Sequence, residues 1–301
     1  MLRLGIVDFD SSHSIEFTRR FNHVGLSGDE YVQGARVVLG CPGTSEMSPE
    51  RIPLFTEQVR DEGGVKLVDN PEEMIGDIDA VLILSLCGSA HLERARPFLE
   101  AGIPTYIDKP FACNLSDAEE MIRLAQENNA TLFHSSGLRF AEEILNFQRA
   151  SEIHGRLNGV MSYGPAKRAE GNPGLFHYGI HAVSILFALM GPGCESVTTI
   201  YTEGAEVVSG RWRDGRIGTL RGNRAGSTAY GFLAFCDNSV ENHLVSTRWT
   251  YRNLCQQIVN SFTSGVPTVP HECYLEETRF VLASLESERR DGVPIRLESI
   301  S

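Results

Sequence analysis

The sequence predicts an α/β fold: a Rossmann-like doubly wound parallel sheet, followed by an α+β domain with a mostly antiparallel open sheet. Three observations carry this. Over the first 137 or so residues, short apolar runs alternate with helical segments, the pattern of parallel strands joined by crossover helices. Beyond Gly137, strand-like runs follow one another through tight turns, with Asp214-Gly215 the clearest hairpin signal. The chain has 301 residues, 42% hydrophobic and 22% charged, which is long for one core and ordinary for two globular domains. The expected domains are 1–137 and 138–301.

The elements follow in order. Leu2 to Val7 reads as a buried strand and Ser14 to Phe21 as a helix with Ile15, Phe17 and Phe21 inward. Ala35 to Leu39 is a second strand, closed by the breakers Gly40, Pro42 and Gly43. Pro53 to Glu62 is a helix and Lys66 to Val68 a third strand. Asn70 and Pro71 open a short helix as N-cap and N1. Asp79 to Leu86 is a strongly apolar fourth strand, His91 to Ala101 a helix stopped by Gly102, and Ile103 to Ile107 a fifth strand. Ser116 with Glu119 three residues on forms a capping box for a helix to Asn128. Thr131 to Ser135 completes six strands. In the second half, Phe140 to Ala150 is helical, Arg156 to Tyr163 a strand and Phe176 to Met190 an apolar helix. Strands are expected at Val197 to Thr202, Val207 to Arg213, Ile217 to Gly222, Thr228 to Cys236 and Val240 to Thr247. Helices at Tyr251 to Thr263 and Glu272 to Arg290 close the chain.

Charge narrows the function. Lys and Arg total 27 against 39 Asp and Glu, a formal charge of -12. Such a surface argues against nucleic acid, whose phosphates need clustered cations, and against a polybasic membrane dock. An anionic ligand must find local compensation. The seven cysteines are odd in number, widely spaced and without a C-x-x-C pair, as in a reduced cytoplasmic protein. The N-terminal apolar stretch is too short for a signal sequence, and no run approaches a membrane span.

Three places carry chemistry. The turn after the first strand, where a dinucleotide fold puts its phosphate loop, reads Asp8-Phe9-Asp10-Ser11-Ser12-His13. None of the three glycines of G-x-G-x-x-G is present, and two carboxylates stand there instead. Ser11 and Ser12 offer hydroxyls and amides at a helix start, which favours anions, although Asp10 or Ser12 as a plain helix cap explains the loop equally well. The tip of the second strand carries no acid for an adenosine ribose until Glu46. The second place, Tyr106-Ile107-Asp108-Lys109-Pro110-Phe111, puts a lysine at the carboxyl end of a parallel strand, where ligands bind. Asp108 would keep its ammonium charged, and Pro110 would fix the backbone, as a cis bond in one reading. The third, Phe176-His177-Tyr178-Gly179-Ile180-His181, sets two histidines at i and i+4 on one expected helix face. They suit acid–base chemistry or a metal pair, but the Glu of H-E-x-x-H is missing and no third ligand is evident.

The loop ending in His13, His91 after the fourth strand, Asp108-Lys109-Pro110, Arg139 after the sixth and Gly179-Ile180-His181 stand in an order and spacing that resemble the Gfo/Idh/MocA family of NAD(P)-dependent oxidoreductases, over nearly the whole chain. Asp-Lys-Pro looks like the family's Glu-Lys-Pro, and the phosphate loop like a glycine-poor branch. The resemblance implies NAD or NADP as cofactor, NAD slightly ahead, and hydride transfer between nicotinamide and a carbinol or carbonyl carbon of a sugar, cyclitol or related polyol. Lys109 and His181 would be catalytic, with His177 beside them where the family has an acid; the usual acid three residues after the His is Ser184. The implied cofactor residues are Phe9, Asp10, Ser11, Ser12, His13, Cys41, Ser85, Leu86, His91, Asp108, Lys109 and Arg139. The implied substrate residues are Tyr163, Lys167, His177 and His181, with Arg168 beside them. A homodimer or homotetramer through the second-domain sheet is expected, and Arg211, Trp212, Arg213 and Arg216 read as interface or sheet surface. The alternatives are a member without ordinary redox turnover, binding a ligand or using tightly held NAD in a lyase or hydrolase cycle, and, more weakly, a metal hydrolase built on His177 and His181.

Overall fold

A computed structural model describes residues 1–301. The chain divides into two compact units: Met1–Ala112 with Asp117–Ser135 and Tyr251–His271, and Cys113–Ser116 with Ser136–Thr250 and Glu272–Ser301.

The first unit is built on β1 (Leu2–Val7), β2 (Ala35–Cys41), β3 (Lys66–Leu67), β4 (Ala80–Ile83), β5 (Thr105–Ile107) and β6 (Leu132–His134). They form one sheet in the order β3-β2-β1-β4-β5-β6. Every neighbouring pair is parallel. Because both faces are covered, the strands read as unbroken apolar runs: Ile6, Val7, Leu82, Ile83, Tyr106 and Phe133 are fully buried. The covering helices are α1 (His13–Asn22), α2 (Ile52–Glu57), α3 (His91–Glu100) and α4 (Leu115–Glu127). On α1, Ile15, Phe17 and Phe21 go inward as their spacing requires. Asn70 and Glu73 make the reciprocal capping box of a 3₁₀ turn at Pro71–Met74. Ser116, expected as N-cap, lies inside α4, which begins one residue earlier, at Leu115.

The order is that of a doubly wound sheet, whose chain reverses direction between β1 and β4. Ligands of such sheets sit in the crevice outside the carboxyl ends of the strands at that reversal.

The second unit has α5 (Glu142–Arg149), α6 (Ser151–His154), β7 (Leu157–Pro165), α7 (Ile180–Met190), β8 (Cys194–Tyr201), β9 (Ala205–Trp212), β10 (Ile217–Asn223), β11 (Tyr230–Cys236), β12 (Val240–Val245) and β13 (Ile295–Arg296). Its sheet runs β12-β11-β7-β10-β9-β8-β13. Four of the pairs given a register here are antiparallel, as is the short β13–β8 pair, which no sequence signal announced. Only β7 and β10 run parallel. The Asp214-Gly215 hairpin forms between β9 and β10, with Gly215 at φ 88°. α7 lies on the inner face, where the Ser162 hydroxyl donates to the Ala182 carbonyl at 2.9 Å. Trp212 corrects its expected place at an interface. It is 1% exposed, packs against Phe187 and donates its indole N–H to the Gly191 carbonyl at 2.9 Å.

The last two helices are α8 (Thr250–Ser264) and α9 (His271–Arg289). A single boundary after residue 137 would put α8 wholly in the second domain, but from Tyr251 onward it packs on the first unit. Arg252 donates to the Asp29 carbonyl at 2.9 Å, the Tyr251 ring lies edge-on to His13, and Val259 fills the space left by Gly34.

Candidate active site

The carboxyl end of β1 shows how two aspartates replace glycines. Asp8 adopts φ 65°, a left-handed conformation that glycine takes freely and aspartate tolerates better than most residues. Its carboxylate turns inward and is 1% exposed. It accepts from the Ser85 hydroxyl and, at 3.2 Å, from Arg94 Nε, while its Oδ1 has no partner. A Cβ on Gly43 would lie 1.7 Å from that oxygen, so glycine is required there. Asp10 is 2% exposed. It accepts from the Ser45 hydroxyl at 2.6 Å and from the Leu86 amide at 3.0 Å. Burial raises the pKa of both carboxyls above the ordinary carboxylate value, against the hydrogen bonds that lower it. Arg94, which sequence reasoning missed, also reaches the Thr44 hydroxyl at 3.4 Å. It is the compensating cation that the acidic loop demands, brought from α3, and its distance in sequence hid it.

The loop then enters α1. The Ser11 hydroxyl accepts from the His13 amide at 3.3 Å, and Ser12 is exposed. The side chain of His13, in the place of the third glycine, points at the lysine motif: its Nδ1 lies 2.7 Å from Asp108 Oδ2. The ring stacks on Phe17 at 5.2 Å and meets Tyr251 edge-on at 5.0 Å. Asp108 is wholly buried and also accepts from the Tyr106 hydroxyl at 3.1 Å. Burial alone would raise its pKa, but the charges of His13 and Lys109 outweigh it and hold the carboxyl well below the ordinary range. Lys109 follows, half-buried, at a cis Lys109–Pro110 bond, the alternative the sequence allowed.

Several expected contacts are corrected. Phe9 is fully buried against Gly40 and faces the core, not a ligand. Cys41 is 2% exposed, with its thiol toward the Asp69 carbonyl. Ser85 points down to Asp8. His91 is fully buried, with its ring nitrogens 2.9 Å from the Ser85 carbonyl and 3.1 Å from the Phe111 carbonyl. It ties the end of β4 to the lysine segment and has no exposed atom to offer a cofactor. Arg139 is held by an ion pair with the buried Glu277. The residues of the expected cofactor set left with exposed surface in the first unit are Ser12, Leu86 and Lys109.

In the second unit α7 starts at Ile180, not Phe176, and His177 sits before it at ψ -93°. The two histidines therefore do not share a helical face, and the i, i+4 metal-pair geometry is absent. Gly179, the N-cap residue, packs so tightly on Leu175 that a Cβ would come within 2.4 Å of it. His181 stands in the first turn, half-buried, its Nδ1 2.7 Å from the Ser136 hydroxyl. Ser136 gave no sequence signal as a partner. Ser184 is buried, its hydroxyl without a partner. Tyr163 lies on the sheet face opposite α7, over Gly231, because it alternates with the inward Ser162. That removes it from the His181 side. Arg168 is consumed by ion pairs to Glu206 and Glu288, whereas Lys167 is exposed.

Residues 51–136 match the Gfo/Idh/MocA family model, described as an oxidoreductase family with an NAD-binding Rossmann fold. Over 157 residues the chain is 28% identical to an uncharacterized oxidoreductase, YhhX, of Escherichia coli strain K12, covering 47% of this chain and 42% of that protein. The chain thus spans less than half the length of this curated relative. Among solved structures, scyllo-inositol dehydrogenase of Lactobacillus casei with bound NAD(H) and scyllo-inositol superposes with a TM-score of 0.80 at 17% identity, over 99% of both chains. Myo-inositol 2-dehydrogenase of Lactobacillus plantarum gives 0.80 at 16% identity, over 100% of this chain and 99% of that one. At such identities these structures share the fold of this chain.

Proposed function

We infer that this chain, whose residues 51–136 carry the Gfo/Idh/MocA oxidoreductase family model, is an NAD(P)-dependent oxidoreductase acting on a CH–OH carbon of a sugar, cyclitol or related polyol. The observation that carries the reading is Lys109 at the carboxyl end of β5, next to a buried aspartate locked by His13 and Tyr106. The fold likeness to inositol dehydrogenases, one with NAD(H) and scyllo-inositol bound, supports the substrate class.

The residues fit a dinucleotide at two places. Asp8 and Asp10 are turned inward, Asp8 onto Ser85 and Arg94 and Asp10 onto Ser45 and the Leu86 amide. The Ser11 and Ser12 amides open α1, where the helix dipole favours anions. A bound nicotinamide would supply the hydride acceptor or donor. The chain's own part is charge and proton handling. The Lys109 ammonium stabilises negative charge developing on the substrate oxygen. In the second unit, His181, oriented through Nδ1 by Ser136, is the candidate for proton exchange.

Incubation with NAD or NADP and a panel of cyclitols and sugars should yield absorbance at the reduced-nicotinamide band with at least one substrate; a flat trace across the panel contradicts the reading. His181→Ala should then lower turnover by about 10²–10⁴-fold, the range for a lost general acid–base group, with an unchanged melting temperature.

The reading includes self-association through the outer sheet face. Ile200 (69% exposed), Ile217 (61%), Phe235 (42%), Val240 (63%) and Leu244 (70%) lie on strands of one open sheet. Alternation and register put Ile217, Phe235, Val240 and Leu244 on the face away from α7. Exposed apolar side chains grouped on one face support this reading. The double variant Ile217→Glu/Phe235→Glu should elute at monomer mass in light scattering, where the parent chain elutes as a dimer or tetramer.

A further inference from the structure

We propose that Asp8 and Asp10 form a latch across the ADP half of the crevice, so that a dinucleotide binds by displacing side-chain bonds that a glycine loop would not make. The inference rests on the dinucleotide reading above.

The latch is visible in what each carboxylate joins. Asp10 bonds Ser45, in the loop after β2, and the Leu86 amide, in the loop after β4. Asp8 bonds Ser85 after β4 and Arg94 on α3, and Arg94 in turn reaches Thr44 after β2. In the sheet order β3-β2-β1-β4, β2 and β4 flank β1. Bonds that run from the β2 loop through the β1 loop to the β4 loop therefore cross the carboxyl end of β1. That is where the phosphates of a dinucleotide approach the backbone, and where the fingerprint puts its first two glycines.

The arrangement costs the free protein something. Both carboxylates are almost wholly removed from water, one oxygen of Asp8 has no partner, and Asp8 holds a left-handed backbone. Glycine at both positions would avoid all three costs. Holding the two loops together is what the aspartates add. A dinucleotide entering this crevice must release the Leu86 amide and the Ser45 and Thr44 hydroxyls. The Leu86 amide and the Thr44 hydroxyl then become available to its ribose and phosphate oxygens, and Arg94 is freed from Asp8.

The test restores the glycines and reads binding, not turnover. Fluorescence titration with NADH and NADPH is run on the parent chain, on Asp10→Gly and on Asp8→Gly/Asp10→Gly. Ser45→Ala, which removes one latch bond without touching the β1 loop, guards against misfolding of the glycine variants. Removing a competing closed state should tighten binding by about tenfold or more in Asp10→Gly, in proportion to the fraction of closed crevice it abolishes. Ser45→Ala should tighten it by a smaller factor. Equal or weaker affinity in folded Asp10→Gly and in Ser45→Ala overturns the latch while leaving the dinucleotide reading standing. No binding of either nucleotide by parent or variants overturns both.

Discussion

Replacing Lys109 by alanine is expected to lower turnover by about 10²–10³-fold, the cost of removing one preorganised group that stabilises developing oxyanion charge. The melting temperature should change little. The side chain is half-buried, and the fold around it is held by neighbours: Asp108 by His13 and Tyr106, Phe111 by His91 through its carbonyl. Loss in kcat with a smaller change in KM separates this role from ground-state binding. Lys109→Arg keeps the charge but not the compact ammonium, so it should recover only part of the rate. Unchanged steady-state kinetics in Lys109→Ala would remove the lysine from the reaction.

The largest effect on stability is expected at Asp108. Asp108→Ala strips a fully buried carboxylate from His13 and Tyr106. Breaking a buried pair in this way costs about 3–5 kcal/mol, because the surviving polar groups stay buried without a partner. Asp108→Asn keeps shape and one acceptor and should lose less. The pH dependence has a definite sign. The folded carboxyl is held below its ordinary value, so its contribution is fully present above the unfolded value of about 3.9. It is lost as pH falls from there toward the depressed folded value. Thermal melts should therefore show the widest gap between parent and Asp108→Asn near neutrality, closing below about pH 4. A gap that stays constant into acid would show that the Asp108 charge does not stabilise the fold.

Much of the architecture was legible because the first unit obeys local rules. Leu2 to Val7, Ala35 to Leu39 and the α1 periodicity announce buried strands and a covering helix without help from distant residues, although β2 runs on through Gly40 to Cys41. The limits of that legibility are equally physical. A helix reading for Phe176 to Met190 follows apolar content, but the His177 backbone leaves helical space and α7 waits until Ile180. Nothing local forces that break; the packing of Gly179 on Leu175 accompanies it. The side to which α8 belongs is decided by tertiary contacts such as Val259 on Gly34, which no window of sequence contains. The site divides in the same way. The Lys109 motif is legible because it is contiguous. Arg94, the counter-ion of Asp8, and Ser136, the partner of His181, lie far along the chain from the groups they serve. Conversely, Phe9, Cys41 and His91 stand in the right place along the chain and point the wrong way, into the core. Position in a motif fixes where a backbone passes, whereas burial decides which atoms a ligand can meet.

We infer that this crevice takes a nicotinamide dinucleotide despite two aspartates at its floor. Calorimetric titration of the purified protein with NAD, NADH, NADP and NADPH, up to millimolar nucleotide to overcome the latch, tests it most directly. One-site binding of at least one of the four, or stoichiometric nucleotide released when the protein is denatured, is the expected result. No heat of binding with any of the four, and no nucleotide in the denatured supernatant, would contradict it.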